Sequence, residues 1–125
     1  MPATPRKPRA FWPVTIGGTN SKLDFNRGGV KVATIASATY YSPKQLADEV
    51  VNKLEAADAT PVWAASVNNA TGIVTIHSDI SPFTLLFGTG TNKDSDIAEV
   101  LGYTAADLGN DGNGDAVSQN QHQNG

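Results

Sequence analysis

The side chains able to do acid–base or nucleophilic chemistry are few. The chain has two histidines and no cysteine. Thiolate catalysis, disulfide scaffolds and cysteine-based zinc sites are therefore excluded. His77 stands beside Ser78 and Asp79 in a run with strand character. Adjacent strand residues point to opposite faces, so His77 and Ser78 cannot easily exchange a proton. His77 and Asp79 share a face, but no nucleophile accompanies them. His122 lies in a Gln/Asn-rich stretch where no preorganised site is expected. Two separated histidines make a poor transition-metal site.

Two loops invite a ligand reading. Gly88-Thr89-Gly90-Thr91-Asn92-Lys93 resembles a phosphate loop only superficially. It lacks the P-loop spacing of Gly, Lys and Ser/Thr, and its G-x-G has no third glycine. It reads as a flexible turn. Asp107, Asp111, Asn113 and Asp115 offer hard oxygen ligands of the kind calcium takes. Counted from Asp107, however, the twelfth position is Ser118, where an EF-hand needs a bidentate glutamate. Counted from Asp111, the sixth is Ala116, where the turn needs glycine. Asp48 and Glu49 belong to a solvated helix face. The sequence thus predicts no catalytic residue, no cofactor and no metal.

The segment with the clearest binding character is the first dozen residues. Arg6, Lys7 and Arg9 alternate there with Pro2, Pro5 and Pro8. Proline at every third residue blocks helix and favours an extended arm. Phe11 and Trp12 follow directly and supply an apolar anchor of the type enriched at interfaces. Beyond residue 10 the chain carries six basic and twelve acidic residues, a net of −6. The arm is thus the complement of the rest of the chain, and Arg6, Lys7, Arg9, Phe11 and Trp12 are the candidate interface.

Composition sets the frame. The 125 residues amount to one domain, with a radius of gyration of about 14 Å. Apolar residues make up 39% and charged residues only 17%, a balance that suits a β-rich, tightly turned chain. A net charge of −3 disfavours a general nucleic-acid binder. No apolar run is long enough to span a membrane, and none follows the basic cluster as a secretory signal requires.

The elements that must position these residues follow from periodicity. Trp12–Ile16, Lys22–Phe25 and Val30–Ile35 alternate as strands, with Gly17-Gly18 and Gly28-Gly29 as turns. Ser42, Pro43 and Gln45 form an N-cap, first-turn proline and capping-box partner. Leu46, Ala47, Val50, Val51 and Leu54 then share one stripe, so a helix is predicted over 43–57. Val62–Val67 and Ile73–Ser78 read as a hairpin, and Phe83–Phe87 as a further strand. A short helix over about 95–101, capped by Asp94 or Ser95, ends at Gly102. The expected fold is α+β: a mainly antiparallel sheet or sandwich with one amphipathic helix. Residues 1–10 form the basic arm, 11–108 the domain, and 109–125, which are nearly devoid of apolar residues, a flexible polar tail or one ordered only by a partner.

Several fragments, in their order, resemble a structural module of bacteriophage and large-virus virion proteins. They are Asn20–Gly29, Ala33-Thr34-Ile35 leading to Tyr40-Tyr41-Ser42, and the helix with Leu54-Glu55-Ala56-Ala57. Val67–Gly72, Phe83–Asn92 and Ile97–Tyr103 follow. The resemblance spans about residues 18–103. One departure is Ser37-Ala38-Thr39, where similar sequences carry a glycine before the tyrosine. The resemblance implies a non-enzymatic virion protein of a tail, baseplate or capsid, assembled in the host cytoplasm as a homo-oligomer with other virion proteins. Capsid decoration and host-surface binding of a glycan or receptor are the alternatives.

Overall fold

A computed structural model describes residues 13–68, 73–80, 82–104 and 106–118. Nine strands and two helices appear among them, and the fold is α+β, mainly β. Strand β1 (Val14–Ile16) pairs antiparallel with β4 (Ala38–Tyr40). A second sheet has the order β3-β2-β7-β8, built from β2 (Lys22–Asn26), β3 (Val30–Thr34), β7 (Thr84–Leu85) and β8 (Leu108–Gly109). A third has the order β5-β6-β9, from β5 (Trp63–Val67), β6 (Val74–Ser78) and β9 (Asp115–Val117). All strand pairs in the sheets are antiparallel.

Helix α1 spans Pro43–Ala57, the range predicted from its cap and stripe. Ser42 Oγ accepts from Gln45 N at 3.1 Å, and Gln45 Oε1 accepts from Tyr41 N at 2.8 Å. Two of the N–H groups around the helix start thereby find partners. Leu46, Ala47, Val50 and Leu54 are buried, and the helix packs on β3 and β5. It therefore bridges the second and third sheets. The second helix, α2, is only Ala98–Leu101. Neither Asp94 nor Ser95 caps it. Asp96 Oδ1 instead accepts from Ala98 N at 3.1 Å, and Gly102 closes the helix at φ +92°.

The core is cemented by aromatic side chains from different elements. Trp63 of β5 lies edge-on to Phe25 of β2 and to Phe83, with ring centroids 5.3 Å apart in both pairs. Such pairs contribute about 0.5–1.5 kcal/mol each beyond their area. The Trp63 indole donates to Asp58 O at 2.9 Å. Tyr103 packs on Phe87, and its hydroxyl donates to Ala116 O at 2.7 Å.

Two further expectations are corrected, and the inward face of β3 is settled. The flexible tail over 109–125 does not hold for 109–118. Gly109 pairs in β8, and β9 completes the third sheet, with Gly114, Ala116 and Ser118 buried. Small residues fit flush against β6, and backbone bonds hold them, so a low apolar content did not prevent ordering. The predicted strand over 83–87 contracts to two residues, because the chain turns at Phe87. In β3 the Ala33 face is the buried one, while Val30, Val32 and Thr34 face solvent. The small Ala33 side chain lets α1 approach closely.

Candidate functional site

The five candidate interface residues, Arg6, Lys7, Arg9, Phe11 and Trp12, lie outside the described residues, as do the arm 1–10 and His122. What the structure does show is where the potentially reactive groups of the domain are placed. His77 Nδ1 meets Asp115 Oδ1 at 2.8 Å, across β6 and β9. It does not engage Asp79, whose Oδ1 accepts from Val62 N at 2.7 Å. Ser78 Oγ is buried and donates to Ile80 O at 2.7 Å. The three neighbours in sequence thus serve three separate structural contacts. No triad geometry forms from them.

The remaining carboxylates behave in the same way. Asp24, on the polar side of β2 in the sequence pattern, is only 2% exposed. Its carboxylate accepts from Asn92 N at 2.7 Å and from Asn92 Nδ2 at 2.9 Å. Asp107 accepts from Gly88 N at 2.9 Å, Thr89 N at 3.0 Å and the Thr89 hydroxyl at 2.6 Å. These bonds, the Thr89 side chain first, hold the Asp107 carboxyl below the usual range. The 88–93 loop therefore does present amides to anions. The anions are the protein's own carboxylates. Gly90 packs so tightly on Asp24 that a Cβ there would lie 2.5 Å from its Oδ2 and 2.7 Å from Leu86 O. The flexible turn read from the sequence is a packed corner.

Asp111, Asn113 and Asp115 do not converge as cation ligands. Asp111 Oδ1 accepts from Asn113 N at 2.8 Å and Asp115 N at 3.1 Å, while Asp115 turns to His77. Among the described residues no three His, Cys, Asp or Glu side chains are grouped to hold a metal ion. Glu49 Oε2 accepts from Ala36 N at 3.2 Å and pairs with Lys53. Only Asp48, bonded to Lys44 on the exposed helix surface, fits the solvated reading fully.

Two features were not legible in the sequence. The first is the Arg27–Asp58 pair. Arg27 Nε and Nη2 both donate to the Asp58 carboxylate, the second at 3.0 Å, and Lys31 Nζ lies 4.0 Å away. The guanidinium bond holds Asp58 below the ordinary carboxylate range, against the opposing effect of burial. These residues are 31 positions apart, so no local pattern marks them. The second is Asp96, whose carboxyl is pushed up to about 6, by burial first. Its bond from Ala98 N opposes the shift, and the charges of Asp24 and Asp94 reinforce it. Trp63 and Tyr103 are core residues, and burial pushes the Tyr103 hydroxyl up. Tyr41 is exposed. Compared with known protein families and with curated proteins, the chain matches none.

Proposed function

We propose that this chain is a non-enzymatic structural protein of a bacteriophage virion, built in multiple copies into a tail or baseplate through its terminal arms. The observation that carries the reading is the use made of the carboxylates. Asp24, Asp58, Asp79, Asp107, Asp111 and Asp115 each bond to the backbone or side chain of another element or turn. Groups held this way rigidify loops, and a carboxylate engaged with amide donors is a poor proton acceptor. The domain is a scaffold with fixed corners. Its net charge beyond residue 10 is −6, and the arm carries three positive charges, so arm and domain of neighbouring copies attract. The resemblance of the ordered fragments to virion proteins, read from the sequence, suggests the setting.

Immunogold labelling of purified particles with antibody to the chain tests the setting. Label on the tail or its tip supports the proposal, label over the head replaces it with capsid decoration, and absence from particles overturns the virion reading. In the last case a host-surface binding module becomes the reading to pursue with glycan arrays. A chain lacking residues 1–10 is expected to keep its Tm and lose incorporation into particles. Retained incorporation overturns the role of the arm.

A further inference from the structure

The turn that leads into β9 joins an electrophile and a nucleophile that the rest of the domain keeps apart. Among the described residues Asn113 is the one asparagine followed by glycine. A glycine nitrogen has no Cβ beside it, so it can approach the preceding side chain closely. Asn113 is exposed, and its side-chain amide makes no hydrogen bond among the described residues. The side-chain amides of Asn20, Asn92 and Asn110 are instead held by Thr15 O, Asp24 and Asp111 O.

Asp111 closes this turn. Gly114 N donates to Asp111 O at 3.1 Å, the bond of a four-residue turn. Asp111 Oδ1 accepts from Asn113 N at 2.8 Å and from Asp115 N at 3.1 Å, and Asp111 N donates to Asp115 O at 2.8 Å. While these bonds hold, the Gly114 nitrogen is engaged, and the residue is buried. Residues 111–113 are exposed and contribute no apolar side chain. Segments with few buried apolar contacts open locally without global unfolding. The far side of the turn is rigid. Gly114 O accepts from Ser78 N at 3.0 Å, and a Cβ on Gly114 would overlap Ser78 O and lie 3.2 Å from His77 Cε1.

We propose that Asn113 is a self-modification site: in the opened turn Gly114 N attacks the Asn113 side chain, and the isoaspartate that results detaches the start of β9 from β6. The chemistry needs only water. Gly114 N gives its proton to a water or hydroxide base and bonds to Asn113 Cγ. The Cγ–Nδ2 bond breaks, and the side-chain nitrogen takes up a proton and leaves as ammonia. A five-membered imide remains, which water opens at either carbonyl. Breaking the new bond between Gly114 N and Cγ leaves an aspartate at position 113. Breaking the original peptide bond leaves isoaspartate, whose main chain runs through Cβ and Cγ. The net change is amide plus water to acid plus ammonia, with nothing oxidised or reduced. Isoaspartate adds one carbon to the main chain, about 1.5 Å. Asp111 is tied to Asp115, and Gly114 has no room toward β6, so the closed turn cannot absorb it. The bond from Gly114 N to Asp111 O is lost, and Gly114 O leaves Ser78 N. The turn acts as a brake, and its opening sets the pace of an irreversible change. This inference goes beyond the virion reading and does not rest on it.

The test incubates the full purified chain in mildly alkaline buffer. Mass spectrometry of the peptide 94–125, with electron-transfer fragmentation, separates isoaspartate from aspartate, and amide exchange reads the attachment of β9. The expected result is conversion at position 113, with the Ser78 amide losing protection in the isoaspartate fraction. Asn113→Gln, which would need a six-membered ring, keeps the backbone bonds of the turn, stops conversion and leaves Ser78 protected. Asn113→Asp adds the charge without lengthening the chain and also leaves Ser78 protected when fresh. Asp111→Ala removes two bonds that close the turn and speeds conversion roughly tenfold. An unchanged position 113, with conversion confined to Asn124-Gly125, overturns the site. Isoaspartate at 113 with Ser78 still protected overturns the detachment. Conversion no faster in Asp111→Ala overturns the turn as the brake. Particle labelling decides the virion reading separately, so the two failures are distinguishable.

Discussion

Gly114→Ala tests the account of how the C-terminal segment is fastened. Gly114 has φ +80°, and a Cβ there would overlap the Ser78 carbonyl oxygen and press on the His77 ring. The backbone conformation alone costs an L-residue about 1–2 kcal/mol. The overlap is with backbone, so no rotamer change relieves it, and β9 must shift from β6. At stake are Ser78 N to Gly114 O at 3.0 Å, Ser118 N to Val74 O at 2.7 Å, Val74 N to Ser118 Oγ at 3.0 Å and the Tyr103 hydroxyl to Ala116 O at 2.7 Å. With about 0.5–1.5 kcal/mol net for each bond weakened, the loss is about 3–5 kcal/mol. That is a large fraction of the roughly 5–15 kcal/mol that stabilises an ordinary domain. Urea denaturation measures it, and amide exchange at Ser78 and Ser118 localises it. Gly112→Ala is the internal control, since a Cβ there meets nothing within 4 Å and its φ is not positive. If Gly114→Ala costs no more than Gly112→Ala, and Ser118 stays protected, the fastening argument is wrong.

Gly90→Ala is expected to lose about 1–3 kcal/mol by denaturation, because Asp24 and Leu86 O leave no room for a methyl group. Ser42→Ala should lose about 1 kcal/mol, read as a lower urea midpoint, by removing the acceptor for Gln45 N. Asp58 has a lowered folded pKa, so its stabilisation is present above about pH 4 and disappears as pH falls through the folded value. Asp58→Asn should flatten that acid limb in a Tm-against-pH series. Asp96 works in the opposite sense: its folded carboxyl at about 6 makes the fold lose stability as pH rises from about 4 to about 6. Asp96→Asn should raise Tm at about pH 7 and leave it unchanged below about pH 4, and a carboxyl NMR titration should give the midpoint directly.

Legibility in the sequence followed the range of the forces involved. Helix α1 was readable to the residue because its signals are local: Ser42, Pro43 and Gln45 within one turn, and a stripe of period 3.6. The β5–β6 hairpin was readable for the same reason. Asp24 was not, because alternation marks which residues share a face and not whether a distant loop will cover that face. Asn92, 68 positions away, does the covering. The segment 109–118 misled through composition, which counts apolar mass. Its ordering depends on small size at Gly114, Ala116 and Ser118 and on ladder bonds to β6. The alternation of β3 was visible too. Its inward face is decided by how near α1 can come, and that favours Ala33 over the bulkier valines.

These observations converge on the question of what a weakly charged chain does with its polar groups. A domain with 39% apolar residues has limited means of fixing long loops by burial. Here the 88–93 loop is fixed from two sides, by Asp24 of β2 and by Asp107 beside β8. The 58–62 connection is fixed by Asp58 and Asp79. Polar groups used in this manner are deep in their own contacts and offer little to a ligand. Binding capacity is displaced to what the network leaves out, which is backbone at an edge and apolar side chains outside the core. β3 is where the two coincide, with Val30 and Val32 on a strand whose outer ladder has no partner among the described residues. Covering those valines with Lys or Glu would have been a small sequence change with little effect on the core, because neither side chain packs there. What remains on β3 is an apolar patch at Val30 and Val32 whose one neighbouring charge on the strand, Lys31, turns back to Arg27 O instead of shielding it.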